Sequence, residues 1–87
     1  MFYNDILVVL NNILNHTLDN DIKFQTKKLL KKISLKKFIE LKEEDQKKEI
    51  FNLISEVRYG YETVKHKKII ATDIIEKIIK SKMDIYE

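Results

Sequence analysis

The sequence predicts an all-α fold: a small antiparallel four-helix bundle, with four to five helices in a single domain spanning residues 1–87. Three observations predict it. Apolar residues recur at steps of three and four along most of the chain, the spacing that lines one face of an α-helix. Proline is absent and glycine occurs once, so the tight turns that join β-strands lack the residues whose dihedrals they require. The chain is 44% apolar and 36% charged, which is too apolar for a disordered segment and too charged for a membrane-embedded one.

The first helix is predicted over residues 5–18 and runs out near Asn20. Ile6, Val9, Leu10, Ile13, Leu14 and Leu18 form its inner stripe, and Asn11, Asn12, Asn15 and His16 lie opposite. Asn4 or Asp5 is its expected N-cap, and Asp19, Asn20 and Asp21 favour turns and caps over helix interiors. A second helix, about Asp21 to Ile33, turns Ile22, Leu29, Leu30 and Ile33 inward and leaves Phe24 to one side. Ser34 reads as the N-cap of a short helical turn carrying Leu35, Phe38, Ile39 and Leu41. Lys42 to Glu49 is wholly polar, an exposed break followed by a solvated first turn where Glu43, Glu44 and Asp45 suit a helix N-terminus. Ile50, Leu53, Ile54, Val57 and Tyr61 then make the inner stripe of a third long helix, with Val64 at its end. Gly60 falls inside that pattern, so either the helix ends there, through glycine's tolerance of a left-handed conformation, or a neighbour packs closely against it. Thr72 is the expected cap of the last helix, in which Ile74, Ile75, Ile78 and Ile79 pair as a stripe ahead of Ile85 and Tyr86.

The core of such a chain is small, and without cysteine no disulfide or thiolate metal site supplements it. Stability is therefore expected to lean on a protein partner, a second copy of the chain included. The longest apolar run, Ile6 to Leu10, falls far short of the roughly 18 residues of a membrane span. No basic residue precedes that run, so no signal peptide is expected, and the chain is read as cytoplasmic, peripheral at the inner membrane face.

Charge is partitioned along the chain. Residues 1–22 carry only Asp5, Asp19 and Asp21, residues 23–37 carry seven lysines and no acid, and residues 38–62 are net −3. Lys23, Lys27 and Lys31 fall on one helical row and Lys28, Lys32 and Lys36 on the next, so their potentials add on one surface. That surface suits anionic lipid headgroups, an acidic protein or nucleic-acid phosphates. Arg58 is the one arginine, which leaves a single guanidinium for bidentate base contacts. A second basic cluster, Lys65 to Lys68, is placed ahead of the last helix. Residues 65–75 resemble the loop before the last helix of histone folds, which supports the alternative of a small basic nucleic-acid-binding or regulatory protein.

No catalytic constellation stands out. Ser34, Ser55 and Ser81 lack a glycine elbow, and one glycine cannot build a phosphate-binding loop of either common type. His16 and His66 are fifty residues apart with no metal-ligand spacing around them, and Glu40, Glu43 and Glu44 read as solubilising charge. The expectation is a non-catalytic protein with no cofactor and no metal.

Residues 41–61, which include Leu53-Ile54-Ser55 and end in Arg58-Tyr59-Gly60-Tyr61, resemble the last helix and tail of class IIa bacteriocin immunity proteins of the enterocin A and mundticin kind. The resemblance implies a cytoplasmic antiparallel four-helix bundle that protects a producing bacterium from its own pore-forming peptide. It further implies action at the mannose phosphotransferase receptor complex in the membrane, with the C-terminal half setting specificity. Arg58, Tyr59 and Tyr61 are the partner-binding residues on this reading, because aromatic and arginine side chains dominate interface energetics. The lysine face would then lie near anionic headgroups.

Overall fold

The computed structural model describes residues 1–60 and 66–85. Five helices follow in order: α1 (Phe2–His16), α2 (Asn20–Ile33), α3 (Lys36–Ile39), α4 (Glu43–Tyr59) and α5 (His66–Met83). The four long helices form the predicted bundle and α3 is a single turn. Neighbouring ends fix their directions. The Phe2 amide donates to Glu43 Oε1 at 2.7 Å, which brings the starts of α1 and α4 together. Arg58 at the end of α4 reaches Thr72 and Glu76 in the first half of α5, while Lys80 lies over the Phe51 ring, so α4 and α5 run antiparallel. The Cα radius of gyration, 12.1 Å, matches the about 12 Å expected for one compact core of this length.

α1 buries Phe2, Ile6, Leu10 and Ile13, a stripe one turn longer at its start than the sequence suggests. Neither Asn4 nor Asp5 caps it: Met1 is the N-cap, and an orphan N–H of the first turn is satisfied from 41 residues away by Glu43. Burial of the Phe2 ring makes the early start favourable. α1 also ends earlier than expected, at His16, and Leu18 is 94% exposed rather than part of the inner stripe. The reason is the next cap. Asp19 accepts a bond from the Ile22 amide with its backbone extended, and Thr17 is already extended, which leaves Leu18 at the apex of the turn.

α2 buries Gln25 and Thr26 along with Leu29 and Ile33, while Ile22 and Leu30 are only half-buried. Geometry overrides polarity here, because the stripe through Leu29 and Ile33 continues back through positions 25 and 26 at steps of three and four. Ser34 closes α2 instead of opening the following turn: its Oγ donates to the Leu30 carbonyl at 2.8 Å, and Leu35 is the N-cap of α3. Within α3 the buried residue is Phe38, its ring 6.2 Å from that of Tyr3. Leu35 and Ile39 remain exposed.

The acidic first turn of α4 is as predicted, but the polar run is not wholly solvated. Gln46, four residues before buried Ile50, is itself buried, and its Nε2 donates to the Phe38 carbonyl at 3.2 Å. This bond fastens α3 to α4 across the turn. Gln46→Ala is expected to cost about 0.5–1.5 kcal/mol, the net worth of one hydrogen bond, because the Phe38 carbonyl keeps its bond from the Leu41 amide at 3.1 Å; urea denaturation measures it, and no measurable loss would show that water replaces the amide.

Gly60 ends α4 as expected, though not in the left-handed region: its φ is −65° and its ψ −172°. The requirement for glycine there is one of space, since a Cβ would approach the Glu56 carbonyl oxygen to 3.0 Å. Tyr61, Val64, Lys65 and Tyr86 lie outside the described residues. α5 begins six residues before Thr72, which is not its cap. Thr72 is 1% exposed, and its hydroxyl bonds back to the Lys68 and Ile69 carbonyls at 3.0 and 2.9 Å. The earlier start carries a stripe of Lys68, Ala71, Thr72, Ile75 and Ile79 into the core. The expected isoleucine pairing is thereby rotated, with Ile74 exposed and Ile78 half-buried. Asp84, at φ 52°, follows the end of α5 in the left-handed region that Asp tolerates better than most residues.

Candidate functional site

The lysines of α2 do not share one environment. Lys27 and Lys31 are exposed, and Lys23 beside them is half-buried. Lys28 lies over the Phe24 ring at 4.6 Å. Lys32 donates to Glu56 of α4 at 3.1 Å, and exposed Lys36 pairs with Glu40 at 3.6 Å. Phe24, half exposed, and Leu35, 55% exposed, place apolar surface among these charges. Helix periodicity accounts for the arrangement: Leu29 and Ile33 turn inward, so positions 27 and 31 must turn outward.

The Arg58–Tyr61 segment divides. The Arg58 side chain is 13% exposed and turned towards α5, with Nη2 2.8 Å from Asp73 Oδ1 and 3.4 Å from Glu76 Oε2. Its Nε donates to Thr72 Oγ1 at 3.2 Å. The guanidinium therefore binds helix to helix. Tyr59 is 61% exposed, its ring 5.9 Å from the Arg58 guanidinium carbon. The segment that resembles the immunity-protein tail thus forms α4, and another long helix packs after it.

Between α2, the end of α4 and the start of α5 lies a cleft of 660 Å³ lined by Lys28, Lys32, Glu56, Val57, Tyr59, Gly60 and Lys68. It brings two of the six predicted lysines, Lys28 and Lys32, together with Tyr59. Lys68 is the residue whose role the sequence obscured: it is 5% exposed, and its Nζ has no hydrogen-bond partner among the described residues. The signal was present, since Lys68 stands four and seven residues before Thr72 and Ile75 on the buried stripe. Placing the helix start at Thr72 concealed it. Among the described residues no cluster of three His, Asp or Glu side chains is arranged to hold a metal. No protein-family model, curated protein or solved structure matches the chain.

Proposed function

We propose that the chain is a non-catalytic helical binding protein that docks peripherally on an anionic membrane surface through the lysine face of α2 and meets a protein partner through Tyr59. The observation that carries this reading is the exposed Lys27 and Lys31 row, flanked by Phe24 and Leu35, in a segment of seven lysines without an acid. Cationic charge interleaved with exposed apolar side chains is what an interfacial surface requires. Among the described residues no helix is long and apolar enough to cross a membrane, which accords with peripheral contact.

The finer reading is a bacteriocin immunity factor that occupies a membrane receptor complex from the cytoplasmic side. It is supported by the residues 41–61 resemblance and by the exposure of Tyr59 within that segment. The alternative, nucleic-acid binding, draws on the same lysines but has less support, because Arg58 is held by Thr72, Asp73 and Glu76 and no second arginine exists to read bases.

Two measurements test these readings. Each lysine near an anionic surface contributes about 1 kcal/mol, so Lys27→Gln with Lys31→Gln should weaken binding to phosphatidylglycerol-containing vesicles about thirtyfold. Unchanged vesicle binding would sink the docking surface. Expression in a sensitive indicator strain, challenged with a panel of class IIa bacteriocins, tests the finer reading: protection is expected, and Tyr59→Ala should abolish it while changing stability by less than about 0.5 kcal/mol. A chain that protects against none of the panel is not an immunity factor of this class.

A further inference from the structure

We propose that the cleft between α2, α4 and α5 is a binding site for a phosphate monoester, with Lys68 as its central charge. Lysine is rarely fully buried without a partner, because removing an ammonium from water is costly unless an anion replaces the lost hydration. Lys68 is 5% exposed, its Nζ has no hydrogen-bond partner among the described residues, and it lines the cleft. Its place on α5 sharpens the point. The first turn of α5 holds His66, Lys67 and Lys68 and no acid, where the helix dipole already favours negative charge and the leading N–H groups lack intrahelical acceptors. An anion seated there meets the ammonium and the dipole together, the arrangement by which helix starts bind phosphate.

The lining sets the ligand class. Lys28, Lys32 and Glu56 stand beside Lys68 and Lys32 engages Glu56, while the Lys68 ammonium has no hydrogen-bond partner among the described residues, so the charge it offers a ligand is positive. Val57 and the Tyr59 ring add apolar lining among the described residues, which suits the organic part of a phosphate monoester. Gly60 lies beside the ammonium: a Cβ there would sit in van der Waals contact with Lys68 Nζ, at 3.9 Å. The site shares Lys28 and Lys32 with the lysine face of α2 but centres on Lys68 of α5, and its phosphate can come from a soluble monoester or from a lipid headgroup such as phosphatidic acid.

Thermal denaturation and calorimetry of the full chain test it, with inorganic phosphate as the probe and chloride at matched ionic strength as the reference. Phosphate is expected to raise the melting temperature, as any ligand specific to the folded state does. Lys68→Met keeps the length of the buried side chain while removing its charge, and should abolish the rise. Lys48→Met, on the exposed side of α4, should keep it. Should Lys68→Met fail to fold, Glu56→Gln carries the test: it removes the one acid that lines the cleft among the described residues, from a half-exposed position, and should tighten phosphate binding severalfold. No rise in the wild type, a full rise in Lys68→Met, or unchanged affinity in Glu56→Gln each overturns the proposal. Vesicles separate the two sources. A headgroup ligand gives Lys68-dependent preference for phosphatidic acid over phosphatidylglycerol, displaced by free phosphate, whereas a soluble ligand gives no such preference.

Discussion

Replacing Arg58 by alanine is expected to lower the stability of the fold by about 2–4 kcal/mol, the range for removing one partner from a largely buried charge network. Arg58 is 13% exposed and Glu76 18%, so the carboxylate left behind is poorly hydrated, and the Thr72 hydroxyl loses its donor from α4. Asp73 is half exposed and recovers water, which keeps the figure below the upper limit for a fully buried pair. The loss is a large fraction of the about 4–13 kcal/mol expected for a chain of this length. Arg58→Lys should recover only part of it, because one ammonium cannot reproduce the fork that reaches Asp73, Glu76 and Thr72 together. Urea denaturation measures both variants, and a double-mutant cycle with Glu76→Gln isolates the pair. A loss under 1 kcal/mol for Arg58→Ala would place the network with ordinary surface ion pairs. The result also governs how functional data are read, since lost protection in Arg58→Ala would report a loosened α4–α5 junction, whereas lost protection in Tyr59→Ala would report a contact.

Ile54→Ala should cost about 3–5 kcal/mol and leave the chain close to its unfolding threshold. Ile54 is 1% exposed and lines, with Leu29, Val57 and Ile75, the meeting point of α2, α4 and α5. Three helices converge on it, so none can close over the missing atoms without moving from the other two. Ile74→Ala, at a 38% exposed position beside an isoleucine that is buried, should cost under about 1 kcal/mol. Chemical denaturation of both variants distinguishes them. Equal losses would mean that α5 is rotated about its axis relative to the structure described.

The helical fold was legible because its signal is local. Ile6, Leu10 and Ile13, then Ile50, Leu53, Ile54 and Val57, repeat at helical spacing, and every one of them is buried. Helix ends were read less well, since a cap is a contest between neighbouring elements: Asp19 claimed the turn that Leu18 was expected to extend, and Ser34 closed α2 when it was expected to open α3. The candidate site was legible only in part. The four-residue spacing of lysines on α2 placed Lys27 and Lys31 on one row, which is exposed, yet Arg58 was assigned to a partner and is found holding α5.

What the sequence by itself determined is the all-α class, the apolar inward residues Ile6, Leu10 and Ile13 of α1 and Ile50, Leu53, Ile54 and Val57 of α4, and the basic character of α2, because the period of 3.6 residues and the sign of a side chain are properties of the local chain. What only the tertiary structure decided is where polar groups from distant segments meet. Glu43 satisfies the Phe2 amide, Asp73 and Glu76 hold Arg58, and Lys68 is carried into a cleft between three helices. No periodicity encodes these contacts. They arise because the apolar stripes, once packed, leave each remaining polar group either to find a partner across the bundle or, as at Lys68, to await one.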